Sequence, residues 1–162
     1  MIPEVELDIQ VAINDKPARY VPTETLLIDW ITLALGKAGY KKQNAIVSLR
    51  IVDEEEIKDL NKKYRNIDKS TNVLSFPYEA LPEVDINLLG DIIICAAVVE
   101  SEALEQSKTV EQHWAHMIIH GVLHLLGYDH IEDQQAVEME TLEIDILSNL
   151  GIPDPYGELN TP

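Results

Sequence analysis

Several things are scarce in this chain of 162 residues. Cysteine occurs once, at Cys95, so no internal disulfide can form, which fits a reducing cytosol. The thiol lies in the apolar run DIIICAAVV and reads as a small buried hydrophobe rather than a nucleophile. No apolar run approaches the roughly 18 residues of a membrane span. The opening stretch, MIPEVELDIQ, lacks the basic start and long apolar core of a signal peptide. A cytoplasmic protein with no membrane attachment is the resulting expectation. Cations are scarce too, and unevenly so. The net charge of −17 argues against broad electrostatic attraction to nucleic acid. Residues 1–69 carry 11 Lys and Arg against 12 Asp and Glu, a net of −1. Residues 70–162 carry only Lys108 against 17 acids, a net of −16.

What is present fits one ordinary globular domain, at 46% hydrophobic and 25% charged residues. VELDIQVAIN alternates and reads as a half-buried strand. PTETLLIDWITLALGKAG has a Thr or Pro start, apolar residues at helical spacing and a Gly stop. NAIVSLRIV reads as a second strand, DEEEIKDLNKKYRN as a second helix, and TNVLSF as a third strand stopped by Pro77. After a loop, GDIIICAAVV reads as a fourth strand, buried on both faces. From about residue 97 the signals turn helical, through ESEALEQ and then SKTVEQHWAHMIIHGVLHLLG, with Ser107 and Glu111 near the second start. In AVEMETLEIDILSNLG, Met139, Leu142, Ile146 and Leu150 share a helical face. The expected architecture is α+β: a small mixed four-stranded sheet with helices packed against it. Residues 1–150 form one domain in this scheme, and 151–162, rich in Pro and Gly, form a flexible tail.

Three of the five histidines stand in HGVLHLLGYDH, residues 120–130. The spacing is that of a zinc-peptidase site, but Gly121 occupies the place where such a site carries its Glu base. His116, His120 and His124 share one helix face. The outer two lie about 12 Å apart along the axis at roughly 1.5 Å per residue, too far to share one metal with the middle one. A neighbouring pair shares a metal easily. Gly127 allows the chain to turn back and present His130, so His120, His124 and His130 are the expected ligands. His113 and His116 read as hydrogen-bonded residues beside the cleft. Asp129 reads as a turn residue, or as one that orients a ligand. Three neutral imidazoles leave a fourth position open, as in catalytic zinc sites, although nickel, copper or iron also suit such ligands. The missing Glu disfavours peptide cleavage, whereas phosphodiester cleavage depends more on charge neutralisation. Gly121 itself fits either close approach by substrate or a packing requirement.

Four cations, Lys62, Lys63, Arg65 and Lys69, fall in NKKYRNIDKS. They suit either a solvated helix end or a local anion site.

HGVLHLLGYDH, with YRNIDKSTNVLSFPYE and LLGDIIIC before it, resembles the YbeY family of bacterial metal-dependent endoribonucleases over roughly residues 45 to 150. The resemblance implies a zinc-hydrolase-like metal site on a late helix and the following turn. It also implies cleavage of single-stranded RNA, in 3′-end maturation of small-subunit ribosomal RNA and in ribosome quality control. The small ribosomal subunit and its assembly factors are the implied partners. The implied ligands fall on His120, His124 and His130, with Zn2+ as the expected ion, and the functional arginine falls on Arg65. One departure is Ser70, where the family usually has Pro. Lys69 and Asn72 are further candidates for binding substrate; Tyr64, Tyr128 and Trp114 could stack on unpaired bases, although packing is the commoner role for each. The competing expectations are a metallopeptidase or other zinc hydrolase with its base elsewhere, and a non-catalytic assembly factor whose metal holds the fold.

Overall fold

The computed structural model describes residues 2–14, 19–78, 87–129 and 132–156. Its strands are β1 (Glu4–Ala12), β2 (Asn44–Val52), β3 (Val73–Pro77) and β4 (Leu88–Cys95). Its helices are α1 (Glu24–Lys37), α2 (Glu54–Arg65), α3 (Ala96–Glu105), α4 (Val110–Leu125) and α5 (Asp133–Asn149). The strands form one mixed sheet in the order β1-β2-β4-β3. β1, β2 and β4 run parallel, and β3 lies antiparallel to β4 at the edge. This is the expected α+β architecture.

β4 explains why the sheet is covered on both sides. Ile92 and Ile94 join the main core with α1, α4 and α5, while Ile93 and Cys95 pack with Val52, Ile57 and Leu74 under α2. Alternate residues of a strand point to opposite faces, so an unbroken apolar run is what a two-sided position requires. Cys95 is fully buried, as a small hydrophobe should be. The strand is shorter than GDIIICAAVV implied. It ends where its partner β2 ends, with Cys95 beside Val52, and the helix-forming Ala96 and Ala97 begin α3.

α4 carries eleven buried residues in sixteen, so it lies inside, with its histidines as the polar face. Its start is a capping box two residues later than expected. Thr109 Oγ1 accepts from Gln112 N at 3.1 Å, and Gln112 Oε1 accepts from Thr109 N at 3.3 Å. Its end is the expected one. Gly127 takes φ 102°, and Tyr128 N donates back to Leu123 O at 3.0 Å. α5 buries Met139, Glu143, Ile146 and Leu147 and packs Leu142 partly buried against the core, so a carboxylate joins the expected apolar face while Leu150 is exposed.

Candidate functional site

α4 crosses the sheet at β3 and β4, and Gly121 sets how closely it does so. A Cβ at Gly121 would lie 3.2 Å and 3.3 Å from two carbons of Ile92, and 3.3 Å from Ser75 Oγ. The same hydroxyl donates to Gly121 O at 3.2 Å. Between the two readings of this glycine, packing is the one the contacts support. A side chain at position 121 would start against Ile92 and Ser75, so it would meet tight contacts from its first carbon.

Along α4 the histidines form a chain of polar contacts. His120 Nε2 and His124 Nε2 lie 3.0 Å apart. His120 Nδ1 lies 2.9 Å from Glu143 Oε1, and His116 Nε2 lies 2.7 Å from Glu143 Oε2. The Tyr156 hydroxyl donates to Glu143 Oε2 at 2.7 Å. Glu143 is fully buried and sits between the two imidazoles and the phenol. Burial alone would raise its pKa, but the hydrogen bonds and charges of His116 and His120 outweigh burial and hold it at about 2. The carboxylate is therefore ionised and can only accept. His120 must carry its proton on Nδ1, which leaves Nε2 bare toward His124. Burial holds His116 below its usual pKa against the opposing pull of Glu143. Tyr156 is raised, by burial first and then by Glu143, and it stays a donor.

A second carboxylate supports the neighbouring turn. Glu102 accepts from His113 Nε2 at 2.8 Å and from Asn72 Nδ2 at 3.1 Å, while Asn72 Oδ1 accepts from Val73 N at 2.7 Å. Burial pushes Glu102 up, but the His113 and Asn72 hydrogen bonds pull it below its ordinary value. Both ends of the Asn72 amide thus hold the start of β3.

His120 and His124 open onto a cleft of about 620 Å³. Its other walls are Arg65, from the end of α2, and Thr71 to Phe76, along the edge strand. Asp129, just past the Gly127 turn, completes it. Arg65 is exposed and has no hydrogen bond or ion pair to any described residue. An imidazole pair and a guanidinium far apart in sequence thus share one cavity. The model of the family Endoribonuclease YbeY matches residues 10–151.

The chain belongs to the YbeY endoribonuclease family.

Among solved structures, it is similar to the solution structure of TM1509 from Thermotoga maritima. The identity is 31% and the TM-score 0.54, over 93% of this chain and 91% of that one. YbeY membership supports a hydrolase acting on RNA, with a role in ribosomal RNA processing.

Two donor sets in this YbeY chain could hold a metal, and they share His120. His116, His120 and Glu143 bring their ligand atoms within 4.8 Å of one another. His120 and His124 form the other pair. Two nitrogens bound tetrahedrally at about 2.0–2.1 Å lie about 3.3 Å apart, close to the 3.0 Å between these Nε2 atoms. The first set is internally satisfied, since both carboxylate oxygens already accept from the imidazoles. The bare Nε2 of His120 faces the cleft instead. His130, the third ligand expected from the sequence, lies outside the described residues.

Arg65, His120, His124 and Asn72 thus meet in one cleft. Lys69 does not join them: it lines a separate depression with Glu54, Glu55, Lys58 and Asp68. Trp114 is fully buried and packs in the core, which leaves it no face for a base. Tyr128 packs partly buried against the core, and Tyr64 is exposed. Sequence reasoning missed Glu143, Glu102 and Tyr156. Glu143 had a visible signal, being an acid in register with Met139 and Ile146. Tyr156 had none, since it lies in the Pro-rich stretch read as loose. No described helix is long and apolar enough to cross a membrane.

Proposed function

We propose that the chain is a zinc-dependent endoribonuclease for single-stranded RNA, acting near the 3′ end of small-subunit ribosomal RNA in the cytoplasm. Residues 1–150 carry the activity as one domain, and the small ribosomal subunit and its assembly factors are its partners. His120, His124 and His130 hold the metal. When bound, the ion supplies Lewis-acid charge to the phosphate at the scissile bond. Arg65 binds the same or an adjacent phosphate through its fork, which makes two hydrogen bonds. Glu143 accepts the Nδ1 proton of His120 and so keeps the opposite nitrogen available as a ligand. The observation that carries this reading is the opening of His120, His124 and Arg65 onto one cleft. The glycine at position 121 weighs against a peptidase, because it supplies no carboxylate where such a site carries its base, and the contacts with Ile92 and Ser75 are tight there.

The test is metal analysis joined to cleavage assays on unstructured RNA and on denatured casein. The metal-loaded chain should cut the RNA and leave casein intact; the reverse would refute the proposal. Arg65→Ala should keep its fold and metal but lose about 10²–10³-fold in cleavage rate. His120→Ala should lose the metal. If the parent never cuts RNA and His120→Ala merely melts earlier, the metal holds the fold and the chain is a non-catalytic factor.

A further inference from the structure

We propose that Tyr64 is a stacking platform for an unpaired nucleobase next to the phosphate held by Arg65. The proposal rests on the endoribonuclease reading and extends it to how single-stranded RNA is chosen. Tyr64 sits in the last turn of α2, between Lys63 and Arg65. It is 56% exposed, more than the other exposed tyrosines, Tyr20 and Tyr78, both at 39%. Tyr20 is also committed elsewhere, since its hydroxyl donates to Glu111 at 3.2 Å. The Tyr64 hydroxyl has no hydrogen bond among the described residues.

The ring is nonetheless held in place. It meets Phe76 edge-on, with centroids 5.1 Å apart and planes at 63°. Phe76 is a wall of the cleft that His120, His124 and Arg65 share. Behind the ring, α2 ends at Asn66 in a left-handed conformation, and Asn61 Nδ2 donates to Lys69 O at 2.9 Å. This bond ties the helix end to the loop entering β3. Tyr64 therefore has a set position and remains more than half exposed, with, among the described residues, only the long, mobile Lys63 side chain over the ring besides Phe76.

The charge around it selects the partner. The Lys63 ammonium lies 5.2 Å from the ring centroid, and Lys62 and Arg65 share the same turn, on a chain with a net charge of −17. A polyanion is attracted here and repelled by most of the remaining surface. Aromatic rings flanked by cations suit a strand that alternates phosphates with unpaired bases. A duplex keeps its bases stacked inward and offers none to Tyr64.

A simpler role would be to pack Phe76 and brace α2 against β3. The two roles separate in anisotropy measurements with a labelled oligouridylate on the metal-loaded chain, its integrity checked on a gel. Tyr64→Ala should bind about 5- to 150-fold more weakly, the range for loss of one stacked base. Tyr64→Phe and Tyr64→Trp should bind like the parent and unfold near its denaturant midpoint. Tyr64→Ala loses the ring contact with Phe76, so it should unfold somewhat earlier yet remain folded under the binding conditions. In a series of oligonucleotides each with one abasic position, the Tyr64→Ala defect should vanish at one position. The platform is refuted if Tyr64→Ala binds like the parent, or if its defect is the same on every abasic oligonucleotide. If the parent binds no RNA, the endoribonuclease reading fails and the platform with it.

Discussion

Replacing Glu143 by Gln tests the site through the residue that touches neither cleft nor solvent. The carboxylate accepts from His116 and Tyr156 on Oε2 and from His120 on Oε1, at 2.7, 2.7 and 2.9 Å. An amide keeps two of the three bonds by placing its oxygen toward His116 and Tyr156. Its NH2 group then faces His120 Nδ1 and needs an acceptor there. His120 must move its proton to Nε2, the nitrogen that opens on the cleft, and a protonated nitrogen cannot bind metal. Metal affinity should fall about 10- to 100-fold, or about 1.4–2.7 kcal/mol. Stability changes as well. A carboxyl held at about 2, against 4.5 in the unfolded chain, corresponds to about 3 kcal/mol favouring the ionised form in the native state. The neutral amide forgoes most of that at pH 7. Because the native pKa is lowered, the contribution is complete above 4.5 and is lost as the pH falls toward 2. The gap between parent and variant should therefore close in that window. Chelator competition measures the first effect, and urea unfolding of the metal-free chain at several pH values measures the second. Unchanged metal affinity in Glu143→Gln would refute the orienting role. Loss of metal in His116→Ala with full retention in His124→Ala would refute it differently, by making Glu143 and His116 ligands themselves.

Tyr156→Phe should destabilise the metal-free chain by about 1.5–3 kcal/mol in urea unfolding, the worth of a hydrogen bond to a charged group. Acidification should weaken the metal-free fold from pH 6.5 downward. The native pKa of buried His116 is lowered, so its share is complete above 6.5 and falls with pH, and Glu143 adds its own loss below 4.5. A flat unfolding midpoint from pH 7 to 5 would contradict this. Gly121→Ala should change stability little, because a gain of about 1 kcal/mol in helix propensity offsets a tight contact with Ile92. Gly121→Glu should unfold far more easily and show no casein cleavage; a stable variant that cuts casein would overturn the packing argument.

The sheet, its helices and the cation at Arg65 were legible because each rests on a local pattern. β4 announced itself by an apolar run, α2 by acids at its start and cations at its end, and α4 by a capped, nearly all-apolar stretch closed by Gly127. The His120–His124 pair follows from helical spacing alone. The supporting groups were illegible because they come from distant chain. Glu143 and Tyr156 reach the site only after α5 packs on α4, and Glu102 reaches Asn72 from α3. Which histidine a buried acid contacts depends on tertiary packing, and a periodic pattern contains no information about that. Lys69, near Arg65 in sequence, lines a different depression with Glu54 and Asp68, beyond the left-handed turn at Asn66.

The contact between Gly121 and the sheet also bears on how this chain could change its trade. Its histidine spacing stands one residue from that of a peptidase, and a single codon change can replace Gly by Glu. The packing makes that short genetic step a long physical one. Ile92 and Ser75 crowd the position, so a longer side chain there would start against tight contacts with both. The two chemistries are neighbours in sequence, and what stands between them in this chain is the packing of one helix position on β3 and β4.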